Sequence, residues 1–303
     1  MKMLFEVPAL EFTDINTSSY TEKNVQLVVA RLDKLHPIIS GNKLFKLHFF
    51  LEQALASTHK TILTFGGSWS NHLVATAYAC KQVGLHCIGL VRGEKPLVLS
   101  GTLKACELYG MQLKFISRND YNDKQTNHFQ KELFSTFGEC LVVPEGGYHP
   151  LGACGASLIM DELNTANATH ICTATGTATT LAGLLQNRPH NEIVIGVTVL
   201  KNMTDIHQRI SFLNGHDHMD DLILFDEYHF GGYAKNTAEL IHFMNEIFKE
   251  NQLPTDFVYT AKMMYAIVDK IKTGYFADGS KIVCLHTGGL QGNASLPAGT
   301  LAF

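Results

Sequence analysis

The chain has 303 residues, of which 46% are hydrophobic, enough apolar side chain to fill one large domain or two modest ones. Lysine and arginine total 24 against 28 acidic residues, a formal charge of −4, and the basic residues form no long block, which argues against nucleic acid as the main partner. No apolar run suits a membrane span or a secretory leader, and the seven cysteines never pair as CxxC, so the expected setting is a reducing cytoplasm without disulfides or a metal site.

In chain order, the first strong signal is "HPIISGNKLFKLHFF", residues 36–50, a turn running into an apolar helix through Leu44, Leu47, Phe50, Leu51, Ala54 and Leu55. "TILTFGG" reads as a strand entering glycines, "SNHLVATAYACKQVG" as a helix, "LHCIGLV" as a strand and "SGTLKACELYG" as a helix. "MQLKFIS", "NHFQKELFSTFG" and "ECLVVPEGG" continue the alternation. Beyond them come a helix around "ASLIMDELN", strand "ATHICTAT", helix "TTLAGLLQN" and strand "NEIVIGVTVL". A helix and polar linker follow over 201–221, then strand "LILFDEY", helices at about 237–250 and 261–273, and strand "KIVCLH".

This alternation predicts an α/β fold of open, twisted, mostly parallel sheets flanked by helices. The Gly and Pro cluster near 144–152 marks a seam. The expectation is a smaller domain over 52–147 and a larger one from 1–51 and 148–303, with a ligand cleft between them.

Four turns carry candidate chemistry: "SGNK" (40–43), "GGSWSNH" (66–72), "TATGTATT" (173–180) and "HTGG" (286–289). Each falls at the carboxyl end of a predicted strand or the amino end of a helix, the edge where open α/β sheets bind ligands. In "TATGTATT" a strand feeds a glycine-centred, hydroxyl-rich loop that opens a helix, which suits a phosphate; an ordinary threonine-capped helix start reads equally well. The pattern is neither GxGxxG nor GxxxxGK[ST], which leaves a nucleotide little support. Lys43 at a helix start opposes the macrodipole and reads on its own as a solvated surface lysine. Beside Leu44 and Phe45, in a partly desolvated cleft, it reads instead as an amine of lowered pKa able to form a Schiff base with a carbonyl. A phosphate cradle together with an activated lysine points to pyridoxal phosphate.

These motifs resemble the tryptophan-synthase β-like (fold type II) enzymes that use pyridoxal phosphate, specifically the D-cysteine desulfhydrase and 1-aminocyclopropane-1-carboxylate deaminase family. The resemblance implies that Lys43 of "GNKLFKL" is the Schiff-base lysine and that Lys46 is a structural or surface residue. It implies a cofactor in the cleft between the domains, with Thr175, Gly176, Thr177, Ala178 and Thr179 on its phosphate. Asn71 would reach the phenolic oxygen, and Thr287, with Thr260 as the second choice, the pyridine nitrogen. Ser70 is expected to bind the substrate carboxylate or relay a proton, or simply to cap the helix that follows. His72 and Trp69 are expected at the substrate. Tyr259, in "TDFVYTAK", would lie beside the ring, and Tyr233 reads either as a second active-site tyrosine or as a buried structural one.

His72, Thr260 and Thr287 stand where the deaminase pattern has Gln, Glu and Leu, so the resemblance favours α,β-elimination on a small D-amino acid such as D-cysteine. Ring opening of the cyclopropane amino acid is the alternative, and a cofactor-holding protein without turnover the alternative of another class. Trp69, the only tryptophan, is a departure from the family pattern that would narrow the pocket. A cytoplasmic homodimer is implied, with a small amino acid as substrate.

Overall fold

The computed structural model describes residues 3–18, 20–58, 60–163, 168–189, 191–217 and 219–303. Its strands are β1 (Phe12–Ile15), β2 (Gln26–Ala30), β3 (Thr61–Gly66), β4 (His86–Arg92), β5 (Met111–Ile116), β6 (Leu141–Val143), β7 (His170–Thr175), β8 (Ile193–Thr198), β9 (Leu222–Phe225) and β10 (Lys281–Leu285). They form a six-stranded sheet in the order β1-β2-β10-β7-β8-β9 and a four-stranded sheet in the order β5-β4-β3-β6. Only β1 and β2 run antiparallel; every other pairing is parallel, as the alternation predicted.

Parallel strands covered by helices on both faces are continuous apolar runs rather than alternating ones, and that is why the central strands were readable. "CIGLV" in β4 and "VIGVT" in β8 are buried throughout. The pair β1 and β2 lay outside the predicted elements: "FTDI" is short and largely exposed, and "QLVVA" follows it with no helix between them among the described residues. The helix expected around 156–164 starts earlier, at Pro150. Proline suits the first helical position, and His149 caps the turn by accepting the Leu151 N–H on Nδ1 at 3.1 Å, so the supposed seam holds a helix start.

The topology brings distant motifs together. β10 inserts between β2 and β7, with Leu285 beside Ala30 and Cys284 beside Cys172. The "HTGG" segment therefore leaves the sheet next to the "SGNK" turn. His286 donates its amide to the Ala30 carbonyl at 3.0 Å, and Asn42 donates its amide to the Thr287 carbonyl at 3.4 Å. Gly41 makes this approach feasible: its φ is +69°, and a Cβ there would lie 1.9 Å from the Thr287 carbonyl oxygen.

Across from this edge, β3 delivers the "GGSWSNH" turn into the helix Asn71–Val83. Ser100 ties the turn down, donating its hydroxyl to the Ser68 carbonyl while accepting the Leu103 N–H at 3.1 Å. Behind the large sheet, the helix Thr260–Lys272 buries Met263, Met264, Ile267 and Ile271, each contributing about 1.5–3 kcal/mol on full burial. That burial fixes the helix whose amino end faces the site. Among the described residues no helix is long and apolar enough to cross a membrane.

Candidate active site

A cavity of about 590 Å³ lies where the carboxyl ends of β3, β7 and β10 meet. Lys43, Trp69, Ser70, Asn71, His72, Thr175, Gly176, Thr177, Ala178, Thr179, Tyr233, Tyr259 and Thr287 all line it, so residues spread over most of the chain converge on one space. Thr260 does not. As the first residue of its helix it turns a fully buried hydroxyl into the protein, which leaves Thr287 as the cavity's hydroxyl on that side.

Lys43 opens the short helix Lys43–Lys46 and donates to Asn42 Oδ1 at 2.8 Å; Asn42 Nδ2 in turn donates to Thr180 Oγ1 at 2.8 Å. This relay fixes the lysine against the helix Thr179–Gln186. Burial lowers the Lys43 pKa to about 8, with the Asp256 carboxylate opposing the shift. Desolvation is thus the leading cause, where the sequence argument had also invoked the helix end.

Lys46 is not a surface residue. It is 4% exposed, lines the same cavity, and donates to the Gly146 carbonyl at 3.3 Å. Burial, and then the charge of Lys43, push its pKa well below the ordinary lysine range. Among the described residues neither amine makes an ion pair within 4.0 Å, which suits a cavity that receives an anion.

The 175–179 loop has the form of an anion cradle. Ala178 caps the helix in the left-handed region (φ 64°), Thr177 and Thr179 share a hydroxyl–hydroxyl bond of 2.8 Å, and the amides of Gly176, Thr177 and Ala178 meet no protein acceptor among the described residues. The Thr175 hydroxyl and Asn71 Oδ1 are likewise buried and unpartnered. Gly176 lets the Tyr259 ring close in, since a Cβ there would sit 3.2 Å from Tyr259 Cε1. Free amides, orphaned hydroxyls and two poorly solvated amines fit a small phosphorylated aldehyde.

The "SNH" motif divides its duties. Ser70 caps its helix, its Oγ accepting the Leu73 N–H at 3.2 Å, so the plainer of its two expected roles is the one visible. Asn71 faces the cavity. His72 turns toward β3, where its Nε2 meets Thr64 Oγ1 at 2.9 Å; the Thr64 hydroxyl donates to the Val143 carbonyl at 2.8 Å and therefore accepts from the ring. Burial first, then the charges of Lys43 and Lys46, lower the His72 pKa to about 3, so the ring is a neutral part of the wall. Trp69 is 38% exposed and Tyr233 56% exposed, both at the mouth, which removes the reading of Tyr233 as a buried structural residue.

Asp256, in "TDFVYTAK", organises the turn ahead of Tyr259. It is 1% exposed and accepts three backbone amides at the start of the last long helix: Val258 (3.0 Å) and Tyr259 (2.7 Å) on Oδ1, and Thr260 (2.9 Å) on Oδ2. One carboxylate thus sets the position of Tyr259 and the charge facing Lys43. Its signal in the sequence was an acidic residue just ahead of a predicted helix.

A family model described as pyridoxal-phosphate dependent enzyme matches residues 9–288. A protein of Thermotoga maritima named "Putative 1-aminocyclopropane-1-carboxylate deaminase" is 31% identical over 284 residues, covering 88% of this chain and 89% of its own. A Pyrococcus abyssi protein of the same name is 29% identical over 292 residues, covering 89% and 86%. A crystal structure described as an ACC deaminase homologue shares 26% identity and superposes with a TM-score of 0.80 over 96% of this chain and 91% of that one. With the lysine, the anion cradle and the two-sheet cleft in place, the chain belongs to the pyridoxal-phosphate-dependent enzyme family of fold type II, and its cofactor is pyridoxal phosphate.

Proposed function

We propose that this protein is a lyase that carries out α,β-elimination on a small D-amino acid of the D-cysteine kind, releasing pyruvate, ammonia and sulfide. The observation that carries the reading is Thr287. Thr287 lines the cavity, its carbonyl accepting the Asn42 amide of the Lys43 turn at 3.4 Å, and a hydroxyl at this position could bond a pyridine nitrogen without protonating it.

Pyridoxal phosphate, when bound, supplies the electron sink for the carbanion at the substrate α-carbon. The chain's own residues do the rest. The 175–179 amides and hydroxyls, with Lys46, would hold the phosphate, Asn71 would donate to the phenolic oxygen, and Tyr259 would pack beside the ring. Lys43 would hold the cofactor's aldehyde and, as a free amine, would take the substrate's α-proton. Its pKa of about 8 leaves a useful fraction of free base near neutrality. As the C–S bond breaks, sulfide leaves with the bonding electrons, and water completes the conversion to pyruvate and ammonia. Trp69 and Tyr233 frame the mouth and favour a small substrate.

Ring opening of 1-aminocyclopropane-1-carboxylate is the second reading, favoured by the names of the Thermotoga and Pyrococcus relatives. One panel separates the two: paired D- and L-cysteine, 3-chloro-D-alanine and the cyclopropane amino acid, read as pyruvate, sulfide and α-ketobutyrate. Pyruvate and sulfide from D-cysteine support elimination, and α-ketobutyrate as the dominant product overturns it. A yellow protein that turns over none of them is a binding protein. We place it as a homodimer in the cytoplasm, checked by light scattering and cell fractionation.

A further inference from the structure

One fully buried cation does not line the cavity at all. Lys262, third residue of the helix Thr260–Lys272, is 0% exposed, and its Nζ donates to the carbonyls of His229 (2.8 Å) and Gly232 (2.7 Å). Burying an ammonium is costly unless acceptors take its protons, and both acceptors here belong to one short bend. Burial lowers its pKa to about 8 while Asp256 opposes the shift, so the ammonium remains the main form at neutral pH.

The bend it holds is strained. Phe230 (φ 50°) and Ala234 (φ 52°) both occupy the left-handed region without being glycine, on either side of Gly231 (φ 90°) and Gly232 (φ 115°). Such conformations persist only where the surroundings enforce them. Within the bend, the Gly232 amide donates to the His229 carbonyl at 2.9 Å and the Lys235 amide to the Gly232 carbonyl at 3.2 Å, the same two carbonyls that Lys262 engages. Phe230 anchors one side, its ring edge-on to Tyr265 at 4.9 Å. The product of the bend is Tyr233, which lines the cavity mouth with its ring edge-on to Tyr259 at 6.2 Å. More than half of the Tyr233 surface is exposed, so the bend beneath it and the contact with Tyr259 set where it stands.

We propose that Lys262 is a positioning residue: its ammonium clamps the carbonyls of His229 and Gly232 and thereby fixes the strained bend that presents Tyr233 at the mouth of the cavity. This rests on the reading of that cavity as the cofactor and substrate site.

The test uses holoenzyme carrying Lys262→Met, which keeps the length and removes the donors. Hydrogen exchange over 229–235 should quicken by about tenfold or more while amides deeper in the helix Thr260–Lys272 keep their protection. Acrylamide should quench Trp69, the only tryptophan and a lining residue of the same mouth, more strongly than in the parent. Substrate KM should rise severalfold with a smaller change in kcat, and adding Lys262→Met to Tyr233→Ala should change KM no further. Lys262→Gln, which retains donors, should recover part of the protection; if the Met variant does not fold, the Gln variant against the parent gives the same comparison at smaller amplitude. Unchanged exchange and quenching, or KM effects that add in the double variant, overturn the proposal. A parent protein that never turns yellow refutes the cofactor site instead, and the exchange measurement still judges the clamp.

Discussion

Asp256→Asn separates two tasks that the native carboxylate performs together. Asparagine keeps an oxygen for the Val258 and Tyr259 amides but turns an NH₂ toward the Thr260 amide, which Oδ2 accepts at 2.9 Å in the native protein. One buried amide left without an acceptor costs about 2 kcal/mol, within the usual spread of about 1–3. For a chain of 303 residues that lowers the unfolding midpoint by roughly 3 °C. The second task is electrostatic. The carboxylate favours the charged form of Lys43 and holds its pKa up against burial, so removing the charge drops that pKa below its native value of about 8. With a pKa of about 8, roughly a tenth of Lys43 is neutral at pH 7, and the variant has more. Only the neutral amine attacks an aldehyde. Apoenzyme mixed with pyridoxal phosphate across pH 6 to 9.5, followed by the growth of visible absorbance, should therefore react faster at pH 7 in the variant, with the midpoint of its rate profile moved to lower pH. A midpoint at or above that of the parent refutes the placement of Asp256 as the charge that governs Lys43.

Three further outcomes follow from the same geometry. Lys43 has a folded pKa of about 8 against 10.5 unfolded, so its charge opposes folding below pH 8 and that cost fades between pH 8 and 10.5; apo Lys43→Met should be more stable than the parent at pH 7, by at most about 3 kcal/mol, and equal to it above pH 10.5 in urea titrations. Lys46→Met removes a buried donor facing the anion cradle and should raise the dissociation constant for pyridoxal phosphate about tenfold, measured by equilibrium dialysis, with Lys43 still the residue labelled on reduction. Thr64→Val strips the partner from His72 Nε2 and from the Val143 carbonyl; it should cost about 2–4 kcal/mol in urea melts and, because His72 stays neutral, add no inflection to activity between pH 5 and 7.

The fold was legible where strand and helix alternate: β4 and β8 carry buried apolar runs, and β7 is marked by the hydroxyl-rich turn it enters. β1 escaped because "FTDI" is short and largely exposed, and β2 because a short 3-10 segment rather than a long helix follows it. The lysine and the anion loop were legible because their chemistry is local: one amine at a helix start, one hydroxyl-rich turn. What escaped depends on neighbours remote in sequence. Lys46 looks like any helical lysine until Gly146 and the 175–179 loop close over it. Consecutive residues on a helix point about 100° apart, so Asn71 and His72 cannot both face one cavity squarely, and the register of the helix Asn71–Val83 gives Asn71 to the cavity and His72 to Thr64. Thr260, the first helical residue, is buried outside the cavity, while Tyr259 just ahead of the helix remains in its wall. Asp256 acts through three backbone amides; the sequence shows an acidic residue ahead of a helix but not the amides it gathers.

The central claim is that Lys43 is the amine that holds pyridoxal phosphate. Purified protein reduced with borohydride, digested and mapped by mass spectrometry should lose its visible absorbance and carry the pyridoxyl mass on Lys43 alone. The label on Lys46 or Lys262 with Lys43 unmodified, or a Lys43→Ala protein that still forms the yellow, reducible species, would contradict the account.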